Sequence, residues 1–186
     1  MRLKRNDTDY VHRRSKETSM SKAKVRSKSS ARSRGASKFE PIGVVRNEVK
    51  TPVVHGWGRV ESDLVFEKRY TEALDGIEEY SHVLVLFWMD RAEAPRSLKE
   101  HVQRRKELPI VGIFARRGPS RPNPIAVSAV AILERDKNVV KVKGLDAIDG
   151  TPILDIKPYT PAFDKVDDAR TPDWSRLIYE EEDYFK

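Results

Sequence analysis

From residue 41 onward the sequence is a succession of short apolar runs, each closed by a turn signal. Residues 41–46 (PIGVVR) and 60–67 are read as strands, separated by a loop in which Pro52, Gly56 and Gly58 surround Trp57. The most apolar run, 81–89 (SHVLVLFWM), is short, partly β-branched and bounded by polar residues, which favours a central buried strand over a helix. Residues 110–116 form another strand. In 125–133, Ile125, Val127, Ala129, Ala131 and Leu133 alternate with smaller or polar residues, the period-2 pattern of a half-buried strand. Asp136-Lys137-Asn138 turns the chain back into 139–145, and Asp149-Gly150 is a turn signal between 139–147 and 152–157. Short strands at this spacing restrict the chain to an antiparallel sheet closed, or nearly closed, into a barrel.

Two stretches break the pattern. Over 97–108, Ser97 and Glu100 fit a capping box, Leu98, Val102 and Leu108 give a sparse apolar stripe, and Pro109 stops the run, so one short surface helix is expected. Its Arg104, Arg105 and Lys106 offer cations to phosphate, but such a charge run on a helix is usually a solvated face. After residue 164 the chain is acidic and loosely patterned, with Trp174, Leu177 and Ile178 available to dock a last helical turn on the barrel.

Charge is divided unevenly along the 186 residues. Residues 1–38 hold 13 Lys/Arg against 3 Asp/Glu, a net +10, whereas 39–186 hold 23 against 26, a net −3. The first segment has one aromatic, Tyr10, and too little apolar area to offset chain entropy, so it is read as a disordered basic tail in which Met20 offers an alternative start. The expected organisation is a tail over 1–38, a mainly β, single antiparallel barrel domain with one or two short helices over 39–165, and an acidic C-terminal extension over 166–186. No cysteine is present, which excludes thiolate catalysis and Cys-ligated zinc and agrees with a cytoplasmic setting. No run of 18 apolar residues offers a membrane span. The four histidines (His12, His55, His82, His101) lack metal-ligand spacing, and no metal is expected; nucleotide-binding glycine fingerprints are missing too.

Two segments carry the chemistry. In 112–128, Arg116, Arg117 and Arg121 sit among Gly118, Pro119, Pro122 and Pro124. Proline fixes its own backbone and restrains its predecessor, so these guanidinium groups are presented by a stiff loop suited to carboxylate, phosphate or a base face. In 144–161, Asp146, Asp149 and Asp155 recur in an otherwise apolar stretch, and Asp155, Lys157 and Tyr159 share a strand face by their spacing of two. Those three are either an ion-paired trio or an acid/base cluster. Both segments are expected to close over one shared ligand site.

The same stretches resemble a known family. Pro41-Ile-Gly-Val-Val-Arg46, Ser81-His-Val-Leu-Val-Leu-Phe87, the R-P-N-P-I of 121–125 and Asp149-Gly-Thr-Pro-Ile-Leu-Asp-Ile-Lys-Pro-Tyr159 are similar, in order, to the TrmO/TsaA-like family of small β-barrel methyltransferases. The resemblance implies S-adenosylmethionine as methyl donor, a homodimer, and a tRNA acceptor: the exocyclic N6 of a threonylcarbamoylated adenosine beside the anticodon. By position it assigns donor contacts to Met89, Asp90, Arg117, Val127 and the Asp146-Ala147-Ile148-Asp149 turn, with Trp57 and Gly58 as a looser match. Asp149 and Tyr159 become candidates for the base that takes the acceptor's proton, Lys157 a candidate for stabilising negative charge, and Arg116, Arg121 and Asn123 candidates for RNA contact. Three departures stand out: Asp90 where many relatives have His, Arg116-Arg117-Gly118 for their Thr-Arg-Ser, and Ile125-Ala126-Val127-Ser128 for their I-G-x-S. The chain also ends soon after the barrel, and if the missing region selects tRNA in longer members, the acceptor differs here. The competing expectations are a non-catalytic RNA-binding barrel and a methyltransferase acting on a small molecule or a protein.

Overall fold

A computed structural model describes residues 39–53 and 55–181. The expected basic tail and the alternative start lie outside them, as does the end of the acidic extension. Six strands form a closed antiparallel barrel: β1 (Gly43–Arg46), β2 (Glu61–Phe66), β3 (His82–Trp88), β6 (Ile125–Asp136), β7 (Val139–Lys143) and β8 (Pro152–Pro158), in the order β1-β2-β7-β6-β3-β8 around the ring. The mainly β, single-barrel expectation is met. Side chains alternate across each strand, so Val45, Leu64, Phe66, Val83, Val85, Phe87, Val140, Val142 and Ile153 point inward as one cluster. Gly43 lets β1 approach β2 closely: a Cβ there would sit 2.5 Å from the Val65 carbonyl oxygen.

A barrel must also close its two ends, and loops do so here. Leu74 and Ile77, from the 3-10 turns between β2 and β3, cover one end. Arg135 ties them down, with its guanidinium 2.7 Å from Asp75, 3.2 Å from Glu78 and 3.1 Å from the Thr71 carbonyl. The link from β7 to β8 covers the other end with Leu145 and Ala147.

That link corrects an expectation. Asp149-Gly150 does not join β7 to β8 as a hairpin, because β7 pairs with β2 and β6 while β8 pairs with β1 and β3. Residues 144–151 instead cross the mouth of the barrel, with Gly144 (φ 94°) and Gly150 (φ 84°) supplying the left-handed bends.

The alternation in β6 also has the opposite sense from the one its composition suggests. Ile125, Val127 and Leu133 are 40%, 41% and 45% exposed, whereas Ala126, Val130 and Ile132 pack on the core. The register sets Ile125, Val127 and Ala129 beside Trp88, Leu86 and Leu84 of β3, so the barrel carries an apolar stripe on its outside.

The helix expected over 97–108 is absent. Residues 99–112 form a two-stranded hairpin, β4 (Lys99–His101) and β5 (Ile110–Gly112), whose tip turns through Gln103 and Arg104, both left-handed (φ 50° and 59°). The Ser97 hydroxyl accepts from the Lys99 amide rather than capping a helix. Val102 and Leu108 fail as a helix stripe because they fold inward across the hairpin and meet Ile178, which is fully buried. Ile178 belongs to a C-terminal turn, α2 (Asp173–Arg176) running into a wider turn at Leu177–Glu181. That segment therefore docks on the hairpin. The described helices are this one and α1 (Pro161–Asp164).

Ile153 is fully buried and Phe163 is 88% exposed. Urea unfolding of Ile153→Ala is expected to show a loss of about 2–5 kcal/mol. Phe163→Ala is expected to stay within about 0.5 kcal/mol of the parent.

Candidate functional site

Four chain segments converge on the mouth crossed by residues 144–151. The first is the end of β3, where the Met89 amide donates to the Pro124 carbonyl at 2.8 Å and Met89 packs on the barrel core. The second is the start of β6, joined to β3 through the pair Trp88–Ile125. The third is the arginine loop, where Arg117 donates to the Val127 carbonyl at 2.6 Å. The fourth is the crossover, where Asp146 accepts from the Ser128 hydroxyl. Met89, Arg117, Val127 and Asp146, expected together on sequence grounds, thus lie at one end of the barrel. Asp90, also at the end of β3, is exposed.

Asn47 fastens the crossover, and nothing in the sequence marked it out. Its amide nitrogen donates to the Ala147 carbonyl (2.8 Å) and to the Ser62 hydroxyl (2.9 Å), its side-chain oxygen accepts from the Val49 amide, and its backbone N–H reaches Asp149. Arg91 adds a second tie, donating to the carbonyls of Lys50 (3.3 Å) and Asp149 (3.4 Å). A single Asn or Arg outside a motif gives no signal; only the turn at 46–50 shows how much rests on it.

Asp149 is an anchor of this arrangement. Its carboxylate lies 3.0 Å from Lys50 and 3.8 Å from Arg46. The hydrogen bond from Lys50, then the one from the Asn47 backbone, holds its pKa below the ordinary carboxylate value, which makes it a weak base. Lys157 and Tyr159 are not brought to the same mouth. They lie toward the far end of β8, whose seven residues span roughly 20 Å. Lys157 pairs with Asp155 at 2.6 Å, and that hydrogen bond raises its pKa, so it stays an ammonium ion. Tyr159 stands edge-on to His82, with ring centroids 6.4 Å apart. Of the two readings open for the trio, Asp155 and Lys157 form an ion pair and Tyr159 stands beside His82.

The arginine loop is stiff for reasons beyond proline. Arg116, only 10% exposed, turns inward to Glu100 of β4 at 2.7 Å, and its Nε is buried without a partner. Its guanidinium passes so close to Gly118 that a Cβ there would fall 2.5 Å from Nη1. Arg121 donates to the carbonyl of Arg116 (2.8 Å) and stacks over Phe114 at 5.8 Å. Of the residues expected on RNA, Arg116 therefore faces Glu100 instead of solvent, Arg121 is half-buried in its own loop, and Asn123 is exposed.

The C-terminal segment borders the same site. Tyr179 packs beside the Val102–Leu108–Ile178 cluster. Burial pushes its phenol pKa up, while Arg117 and Arg116 act to lower it and Asp146 to raise it, so the ring lies in the field of the site's own charges. Trp57, the looser expectation, is buried with its indole N–H on the Val53 carbonyl at 3.2 Å. A cavity of about 550 Å³ opens on the neighbouring wall, lined by Arg46, Asn47, Arg59, Asp63 and Lys141 among others; it adjoins the Asn47 anchor but none of Met89, Arg117 or Val127. Among the described residues no group of three or more His, Cys, Asp or Glu is placed to hold a metal.

Comparisons with known proteins bear on the family and the fold. Residues 46–165 match the family described as tRNA-methyltransferase O N-terminal domain. An S-adenosyl-L-methionine-binding protein of Archaeoglobus fulgidus is 40% identical over 132 residues, covering 69% of this chain and 93% of its own. The tRNA (adenine(37)-N6)-methyltransferase of Escherichia coli is 34% identical over 151 residues, 70% of this chain and 61% of that protein. The crystal structure of TrmO from Pseudomonas aeruginosa superposes with a TM-score of 0.61 at 33% identity, covering 74% of this chain and 61% of that one. The chain thus spans nearly all of the short archaeal relative and under two thirds of the longer bacterial proteins.

The anchoring of Asp149 predicts a pH dependence. A carboxylate whose pKa is lowered by folding contributes stability above its unfolded value, about pH 4, and loses it as pH falls through the folded value. Asp149→Asn is expected to melt below the parent at pH 7, and the gap in Tm is expected to shrink as melts are run at progressively lower pH through that range.

Proposed function

The chain belongs to the tRNA-methyltransferase O N-terminal domain family, and on that premise we propose that it is an S-adenosylmethionine-dependent methyltransferase acting on the N6 of an adenosine beside a tRNA anticodon. The observation that carries the reading is the meeting of Met89, Arg117, Val127 and Asp146 at one barrel mouth, in a chain whose Escherichia coli relative is named for that reaction. The tRNA acceptor sets the work in the cytoplasm.

The side chains present fit the donor. Arg117 offers an exposed cation to an amino-acid carboxylate. Asp146, oriented by Ser128, offers a carboxylate to ribose hydroxyls or an amine. Val127 and Met89 offer apolar surface to a purine. S-adenosylmethionine bound there supplies an electrophilic methyl group on sulfur.

The chain's own contribution is chiefly alignment of acceptor nitrogen with that methyl, because the crossover is pinned by Asn47 and the arginine loop by Glu100. As nitrogen gains the methyl, the donor's methyl–sulfur bond breaks to leave S-adenosylhomocysteine, and the nitrogen's proton passes to solvent water. Asp149, already shared by Lys50 and Arg46, is poorly suited to take it. Lys157, held as an ammonium ion by Asp155 toward the far end of β8, does not suit proton removal and stands away from the mouth where the methyl is presented.

A second copy of the chain suits the apolar stripe of Leu84, Leu86, Ile125, Val127 and Ala129, which would explain large apolar side chains left on the outside of β3 and β6. A dimer formed there buries the stripe. Sedimentation of the parent is expected to give a dimer, and Ala129→Arg is expected to give a monomer; an Ala129→Arg protein that remains dimeric rules this interface out.

Methyl transfer is tested by incubating the protein with tritiated S-adenosylmethionine and total tRNA, then digesting the RNA and identifying the labelled nucleoside. Label on an N6-substituted adenosine is expected, and Arg117→Ala is expected to weaken donor binding about tenfold. Donor binding without label in tRNA contradicts the acceptor and moves the search to small molecules or proteins.

A further inference from the structure

The net charge of residues 39–186 conceals a separation. Residues 91–121 hold 9 Lys/Arg and 3 Asp/Glu, a net +6, so the remainder of 39–186, with 14 Lys/Arg and 23 Asp/Glu, is −9. The cationic stretch is the lobe built on the β4–β5 hairpin. The acids in it are already engaged: Glu100 with Arg116, Glu93 with Arg96, and Glu107 with Arg105. Arg104 and Lys106 have no ion pair among the described residues and are exposed.

The backbone holds them in place. Gln103 and Arg104 are consecutive left-handed residues without being glycine, a strained conformation that persists only where the surroundings impose it. The surroundings are specific: Val102 is buried, its amide donates to the Pro109 carbonyl at 3.1 Å, the Arg105 amide donates back to Val102, and His101 Nδ1 lies 2.7 Å from the Leu108 carbonyl. The hairpin tip so formed walls a concave surface of about 420 Å³ with Arg96, His101, Arg104, Lys106 and Ser120; its two carboxylates, Glu93 and Glu100, are the ones paired with Arg96 and Arg116. On the same lobe, Phe114 is 75% exposed with the guanidinium of Arg121 over its ring, and Arg121 directly follows Ser120 of the concave surface. Fixed cations beside an exposed aromatic ring match the two needs of single-stranded nucleic acid, phosphate neutralisation and base stacking.

We propose that this lobe is the docking surface for the acceptor RNA, with Arg104 and Lys106 on backbone phosphates and Phe114 under an unpaired base. The proposal rests on the tRNA reading above and adds where the RNA sits: on the hairpin beside the donor mouth, buttressed by Ile178 from a segment beyond the matched family region. It also explains why a hairpin tip accepts backbone strain, since a relaxed turn would release Arg104.

The test uses the full chain and a fluorescein-labelled RNA hairpin corresponding to a tRNA anticodon arm, titrated at several salt concentrations. Arg104→Glu with Lys106→Glu is compared with Lys68→Glu plus Arg69→Glu, an equal charge change at the opposite end of the barrel. The lobe pair is expected to bind at least about tenfold more weakly and to lower the slope of log affinity against log salt by roughly 1.4–1.8, while the control pair stays near the parent. S-adenosylhomocysteine titration is expected to be unchanged in both. Equal loss in the two pairs overturns the proposal, as does loss of nucleoside binding together with RNA binding in the lobe pair. A parent protein that binds S-adenosylhomocysteine but no RNA overturns the tRNA reading itself.

Discussion

Closure of the barrel through β8 is the constraint on which the rest depends. β8 hydrogen-bonds β3 along most of its length but meets β1 only through Gly43–Ile153 and Val44–Pro152. A seam that short is reinforced by what lies across it. The Val45 amide reaches the Thr151 carbonyl, the Gly150 amide reaches the Val45 carbonyl, and Asn47 grips the backbone at Ala147. The same crossover that completes the seam plugs the barrel with Leu145 and Ala147 and carries Asp146 at its outer surface. Fold closure and the proposed ligand site are therefore one piece of chain. The site residues do not have to be positioned by a separate framework.

This explains why charged residues here divide into anchors and presented groups. Asp149 and Arg116 have carboxylate and guanidinium groups taken up by Lys50 and Glu100, and they stiffen the crossover and the arginine loop. Arg117 and Asp90 are exposed at the mouth. The cationic hairpin stands beside it on a body that is otherwise acidic, an arrangement that favours approach of a polyanion from one side and repels it from the rest.

Much of the barrel was legible in the sequence because its strands are short, punctuated and strongly patterned. The run 81–89 proved to be β3 almost to the residue, and the tight turn at Lys137-Asn138 joins β6 to β7 as expected. What misled was local pattern without partners. The alternation of Ile125 to Leu133 marks a strand but not its inward face, because the core side is filled by the small Ala126 and by Val130 and Ile132. A capping box at Ser97 and Glu100 looked helical, yet Glu100 is drawn into a strand by Arg116, sixteen residues on. The Asp-Gly turn was real, but nothing local tells a hairpin from a crossing of the barrel mouth. The resemblance named Met89, Arg117, Val127 and Asp146, which share one end of the barrel; Asn47, Arg91 and Tyr179 emerged only from long-range contacts.

The central claim is that one barrel mouth, roofed by residues 144–151, holds the methyl donor. Amide hydrogen exchange with and without S-adenosylhomocysteine tests it most directly. The account predicts slowed exchange at 88–90, 125–128 and 144–151, with the far end of β8 unchanged. Protection centred on 155–160, with the crossover unaffected, would contradict it.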